Sequence, residues 1–79
     1  NVPPKEPEFS RLLNVHRNVP GVLGEINGIV SKAGANIRAQ YLSTDMNIGY
    51  LVMDMEGRQP EQVLKQVSDL STSIKTRMV

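Results

Sequence analysis

The sequence predicts a small α+β sandwich: one four-stranded antiparallel sheet with two helices on one of its faces. Three observations carry this. Apolar and polar residues alternate with a period of two near the N-terminus, in the middle and at the C-terminal end. Two segments between them carry apolar stripes with helical spacing. The chain has 79 residues, 39% of them apolar, which leaves room for a single core.

The elements follow in order. Residues 1–8 interleave Pro3, Pro4 and Pro7 with Lys5, Glu6 and Glu8, an extended leader that reads as a linker from a preceding domain. The folded unit is expected over 9–79. Phe9, Arg11, Leu13 and Val15 alternate with Ser10, Leu12, Asn14 and His16, giving a first strand over 9–15. It stops at Arg17-Asn18-Val19-Pro20-Gly21, with Asn18 or Val19 preceding the first helical turn and Pro20 inside it, where the missing N–H costs nothing. Val22, Leu23, Ile26, Ile29, Val30 and Ala33 make one apolar stripe, and Gly34 closes the helix with a left-handed cap. Gly24 and Gly28, four apart on a neighbouring face, each cost about 1 kcal/mol against Ala, so a close-approaching partner or the sheet is expected there.

Asn36 opens a second strand, where Ile37, Ala39 and Tyr41 alternate with Arg38, Gln40 and Leu42. Residues 43–47, Ser-Thr-Asp-Met-Asn, form a turn. Residues 48–55 make a third strand, apolar enough for the centre of a sheet. Pro60 stands near the start of a second helix with Val63, Leu64, Val67 and Leu70 as its stripe, and residues 74–79 form the last strand. The order is β-α-β-β-α-β. Two right-handed crossovers put both helices on one face. The expected arrangement is a ferredoxin-like sandwich with strand order 2-3-1-4.

Composition narrows the function. Nine Lys and Arg against eight acids leave a net charge of +1, without the basic stripe of a nucleic-acid or membrane binder. Cys is absent and His16 is the one histidine, so thiolate chemistry and multi-histidine metal sites are excluded. No apolar run approaches the ~20 residues of a spanning helix. A domain this small buries only roughly 60% of its unfolded surface, which favours self-association or a larger parent.

Catalytic sets are scarce. Asp54 and Glu56 read as a solvated strand end, Asp45 stands alone in a turn, and Ser10, Ser31 and Ser43 lack a nucleophile context. Gly21, Gly24 and Gly28 do not have dinucleotide-loop spacing. One segment stands out: His16 to Gly21 sets an imidazole and an amide in the loop that opens a helix, whose N-terminus suits an anion. With Asn36, these groups supply both donors and acceptors, which matches a zwitterion bearing a hydroxyl. Each also has an ordinary structural reading: a strand end for His16, a helix cap for Asn18, a turn residue for Asn36.

The strings His16-x-Asn18-x-Pro20-Gly21-Val22-Leu23, Gly34-Ala35-Asn36-Ile37-x-Ala39-Gln40-Tyr41-Leu42 and Gly49-Tyr50-Leu51-Val52 resemble the C-terminal ACT domain of the bacterial-type D-3-phosphoglycerate dehydrogenase family. The likeness runs from about Arg11 to the C-terminus. It implies a feedback sensor that binds L-serine at a symmetric interface. His16 and Asn18 would come from one chain and Asn36 from its neighbour, beside the helix start at Pro20, Gly21, Val22 and Leu23. It further implies a homodimer through strand 2 and helix 1 and a cytoplasmic location. Catalytic residues and cofactor would be absent from this stretch, with NAD bound by the parent enzyme. Glycine is the rival ligand within the family. More distant rivals on the same fold are an RNA-binding module, for which Phe9 and Tyr50 are the available aromatics, and an acylphosphatase-type site from Arg17 and Asn36.

Overall fold

A computed structural model describes residues 2–79. The elements are β1 (Phe9–Arg17), α1 (Val22–Lys32), β2 (Ile37–Thr44), β3 (Ile48–Glu56), α2 (Glu61–Ser68) and β4 (Ser73–Met78). They form one sheet in the order β2-β3-β1-β4 with every neighbouring pair antiparallel. The expected ferredoxin-like topology is the observed one, with the most apolar strand inside.

Register decides which parity of β1 faces the helices. Ser10, Leu12, Asn14 and His16 lie opposite Met55, Met53, Leu51 and Gly49 of β3, and all eight are buried. Leu12, Leu51, Met53 and Met55 meet Val22, Ile26 and Val30 of α1 and Val63 and Val67 of α2 in one cluster. Each such side chain removed from water contributes about 1.5–3 kcal/mol, and together they fix both helices on one face. The other parity of β1, Phe9, Arg11, Leu13 and Val15, lies half-buried on the face without helices.

Two expectations are corrected. β1 continues to Arg17, so His16 belongs to a strand and not to a loop, because Asn14 and His16 find polar partners under the helices. α1 starts at Val22, not at Pro20: Gly21 is its N-cap at φ +90°, and the chain turns into the helix there. The other end is as expected: after Ala33, Gly34 at φ +77° closes the helix with a left-handed turn, its N–H donating to the Ser31 carbonyl at 3.0 Å.

The glycines of α1 make no close approach within the chain. A Cβ built on Gly24 or Gly28 meets nothing within 4 Å. Gly28 instead borders an open groove of about 800 Å³ between the helices, together with Glu25, Ile29 and Lys32. The opposite flank of α1 carries Asn27, whose Oδ1 accepts from Gln40 Nε2 on β2 at 3.1 Å.

Asn1 of the expected linker lies outside the described residues. From Val2 onward the leader is largely exposed but tethered. The Pro3 carbonyl accepts from Arg11 Nη2 at 2.8 Å, Lys5 Nζ donates to the Phe9 carbonyl at 3.0 Å, and Gly57 N donates to the Glu8 carbonyl at 3.0 Å.

Candidate functional site

His16 sits near the end of β1 with 3% of its surface exposed. Its Nδ1 is 2.8 Å from Asn14 Oδ1, two residues back on the same face. Asn14, equally buried, donates through Nδ2 to Ser73 Oγ at 3.1 Å and to Thr76 Oγ1 at 2.9 Å on β4. Ser73 Oγ in turn donates to the Val67 carbonyl at the end of α2, at 2.6 Å. These polar groups are tolerated in the core because they satisfy one another. The imidazole lies across Gly49 of β3: a Cβ there would fall within 3.0 Å of both Nε2 and Cε1. Glycine is therefore required by close approach at this one position. Burial pushes the imidazole pKa down, so the ring is neutral at neutral pH.

Asn18 shares that end of the sheet. Its N–H donates to the Asn47 carbonyl at 2.9 Å and its Nδ2 to the Asp45 carbonyl at 2.8 Å, which ties the segment before α1 to the β2–β3 turn. Asn18 is thus a brace between two connections rather than a helix cap, and no side chain caps α1. Of the helix-start residues, Pro20 and Gly21 are exposed in the turn, Val22 is in the core and Leu23 is half-buried against it. The N-terminus of α1 therefore opens on the same end as Asn18.

Asn36 is elsewhere. It immediately precedes β2, its carbonyl accepts from Glu56 N at 2.9 Å, and its Nδ2 donates to Glu56 Oε1 at 2.7 Å. Glu56 also takes Arg38 Nη1 at 2.6 Å, and these two donors hold its carboxyl below the usual carboxylate range, Asn36 contributing most. Glu56 pairs with Phe9 at the start of β1, whereas Gly49 pairs with His16 near its end. One chain therefore holds His16 and Asn18 at one end of the sheet and Asn36 at the other. Arg17 and Asn36 are separated in the same way, so no acylphosphatase-like pair forms within a chain.

Asp54 is not solvated. It is 5% exposed and bound in fork fashion by Arg11, Nε to Oδ1 at 2.7 Å and Nη2 to Oδ2 at 3.0 Å. That pair depends on β1–β3 register, which local sequence does not give. Phe9 is occupied too, with the Arg38 guanidinium 5.5 Å from its ring centre. Asn14 and Glu56, which shape the surroundings of His16 and Asn36, lie in none of the quoted strings, and Gly49 lies in one without a role assigned to it. The available signals were the parity of Asn14 with His16 and a glycine inside an apolar strand.

The fold is one that ACT domains adopt, and the chain belongs to the ACT domain family. Residues 12–75 match the family model described as an AHAS small subunit-like ACT domain. The chain is 43% identical over 76 residues to D-3-phosphoglycerate dehydrogenase of Dictyostelium discoideum and 38% identical over 76 residues to that of Haemophilus influenzae. In each case it covers 96% of this chain and 18% of the dehydrogenase. The crystal structure of the ACT domain from the GTP pyrophosphokinase of Chlorobium tepidum superposes with a TM-score of 0.76 over 90% of this chain and 96% of that one, at 15% identity, a likeness of fold. No helix among the described residues is long and apolar enough to cross a membrane.

Proposed function

We propose that this chain is an amino-acid-sensing domain that binds L-serine between two copies of itself and conveys feedback inhibition to a D-3-phosphoglycerate dehydrogenase. His16 and Asn18 of one copy and Asn36 of the other hold the ligand, next to the helix start at Pro20–Leu23. The two copies pair through β2 and α1. The parent enzyme is a cytoplasmic oxidoreductase that binds NAD outside this stretch, and this domain takes no part in its chemistry.

The observation that carries the reading is the separation of the two half-sites along an open sheet edge. β2 is an edge strand, Leu42 on it is 47% exposed, and Asn36 and His16 lie at opposite ends. An antiparallel β2–β2 contact about a two-fold axis brings the Asn36 end of one copy against the His16 end of the other, twice. It also removes an exposed edge. The identity to two dehydrogenases over nearly the whole chain supports the choice of parent.

Calorimetry of the chain at a concentration where its mass is dimeric tests the ligand. Two serines bind per dimer, glycine binds more weakly, and alanine is rejected, because a site built to hydrogen-bond a hydroxyl leaves polar groups unpaired without it. Equal affinities for serine and alanine would remove the hydroxyl from the account. A preference for glycine over serine would replace the ligand.

A further inference from the structure

We propose that Asn14 is a positioning residue that fixes the tautomer of His16, so that Nε2 meets the ligand as a hydrogen-bond acceptor and selects a donor such as a hydroxyl or an ammonium group. The inference rests on His16 being a ligand contact, as proposed above, and adds which ligand atoms it can take.

The assignment follows the protons from the backbone outward. The Val67 carbonyl can only accept, so the Ser73 hydroxyl, 2.6 Å away, spends its proton there. Ser73 Oγ then faces Asn14 with a lone pair, and the Asn14 atom 3.1 Å from it must be the donor Nδ2. The second Nδ2 proton goes to Thr76 Oγ1 at 2.9 Å. Asn14 therefore turns its oxygen to His16, and that oxygen, having no proton, obliges Nδ1 to carry one at 2.8 Å. A neutral imidazole has a single N–H, so Nε2 is left with its lone pair. Burial without a neighbouring charge keeps the ring in that neutral form.

Nε2 is the ring atom nearest the position a Cβ on Gly49 would take. Gly49 pairs with His16 on one side and with Thr44 of β2 on the other, so the lone pair lies over the strand that separates β1 from the edge. A carboxylate brought to Nε2 would meet that lone pair and be repelled. A hydroxyl or ammonium proton would be accepted.

The chain has one histidine, so a long-range nitrogen–proton NMR correlation reports on His16 alone. The expected spectrum of the unmodified chain has Nδ1 as the protonated nitrogen and Nε2 as the bare one. Added L-serine then moves the Nε2 resonance in the direction of an accepted hydrogen bond. Asn14→Asp, which keeps an acceptor at Nδ1, retains this tautomer. Asn14→Leu loses it and lowers serine affinity on the order of tenfold, the cost of about one unsatisfied hydrogen bond. An Nε2–H tautomer in the unmodified chain overturns the proposal even if Asn14→Leu fails to fold, as does an Nδ1–H tautomer that survives Asn14→Leu. An Nδ1–H tautomer in a dimeric chain that ignores serine supports the positioning by Asn14 and contradicts the serine reading instead.

Discussion

His16 is a buried base, and this gives it a sign in the pH dependence of stability. Its pKa is lowered from 6.5 by burial. Above that value the ring is neutral folded and unfolded, and it contributes no pH dependence. As pH falls below 6.5 the unfolded chain takes the proton first, so the folded state loses stability until the lowered pKa is passed and the effect levels off. Denaturant midpoints of the chain minus those of His16→Gln, followed from about pH 7 down to about pH 5, isolate this histidine from the carboxylates. The difference should move against the histidine-containing chain on acidification; a flat difference contradicts a neutral buried ring. Gly49 is bound to the same side chain. Gly49→Ala places a methyl within 3.0 Å of Nε2 and Cε1 of a buried ring that Asn14 holds at Nδ1, so the ring must shift. It should cost about 1–3 kcal/mol in unfolding and at least tenfold in serine affinity, because overpacking displaces the ring. Wild-type affinity in a folded Gly49→Ala chain would remove His16 from the site.

At the scale of elements, the flank of the molecule along β2 and α1 is where a partner is expected. Leu42 is 47% exposed on that edge strand, and Asn27 and Gln40 bond across from helix to strand beside it. Leu42→Lys puts a charge on the edge, the usual device against strand pairing. Analytical ultracentrifugation should then find monomers where the unmodified chain is dimeric, and the melting temperature should fall and lose its dependence on protein concentration, because association no longer stabilises the fold. A dimeric Leu42→Lys chain places the interface elsewhere. Gly28 is a poorer place for such a test than its helical spacing suggested, since it borders the groove between the helices. Element types and strand order were legible because periodicity and turn residues are local. The ends of elements were not. His16 looks like the start of a loop, until Asn14, itself held by Ser73 and Thr76 from some sixty residues away, meets it inside the sheet. Pro20 carries the general preference for a first helical turn, which Gly21 overrides by turning left-handed one residue later. Asp54 reads as exposed until register sets Arg11 opposite it. In the candidate site, the residue types were readable from the strings around His16, Asn18 and Asn36, whereas the supporting roles of Asn14, Gly49 and Glu56 needed the sheet.

For the whole molecule, the single chain is the incomplete unit of the proposed sensor. In the proposed assembly each chain carries half of a site at either end of β2, and two copies about a two-fold axis make two whole ones. A ligand held by both copies is stabilised only when they sit in one relation, so its binding energy is available to shift how attached domains are placed. The central claim is that the site is shared, and mixing two damaged homodimers tests it. His16→Ala and Asn36→Ala homodimers should each lose serine binding by about 1–3 kcal/mol, since every site in either carries one lesion. The heterodimer of the two carries both lesions in one site and none in the other. After subunit exchange, verified by native mass spectrometry, calorimetry should find one serine per heterodimer at wild-type affinity; a mixture that recovers no binding would place all three residues in one chain's site and contradict the account.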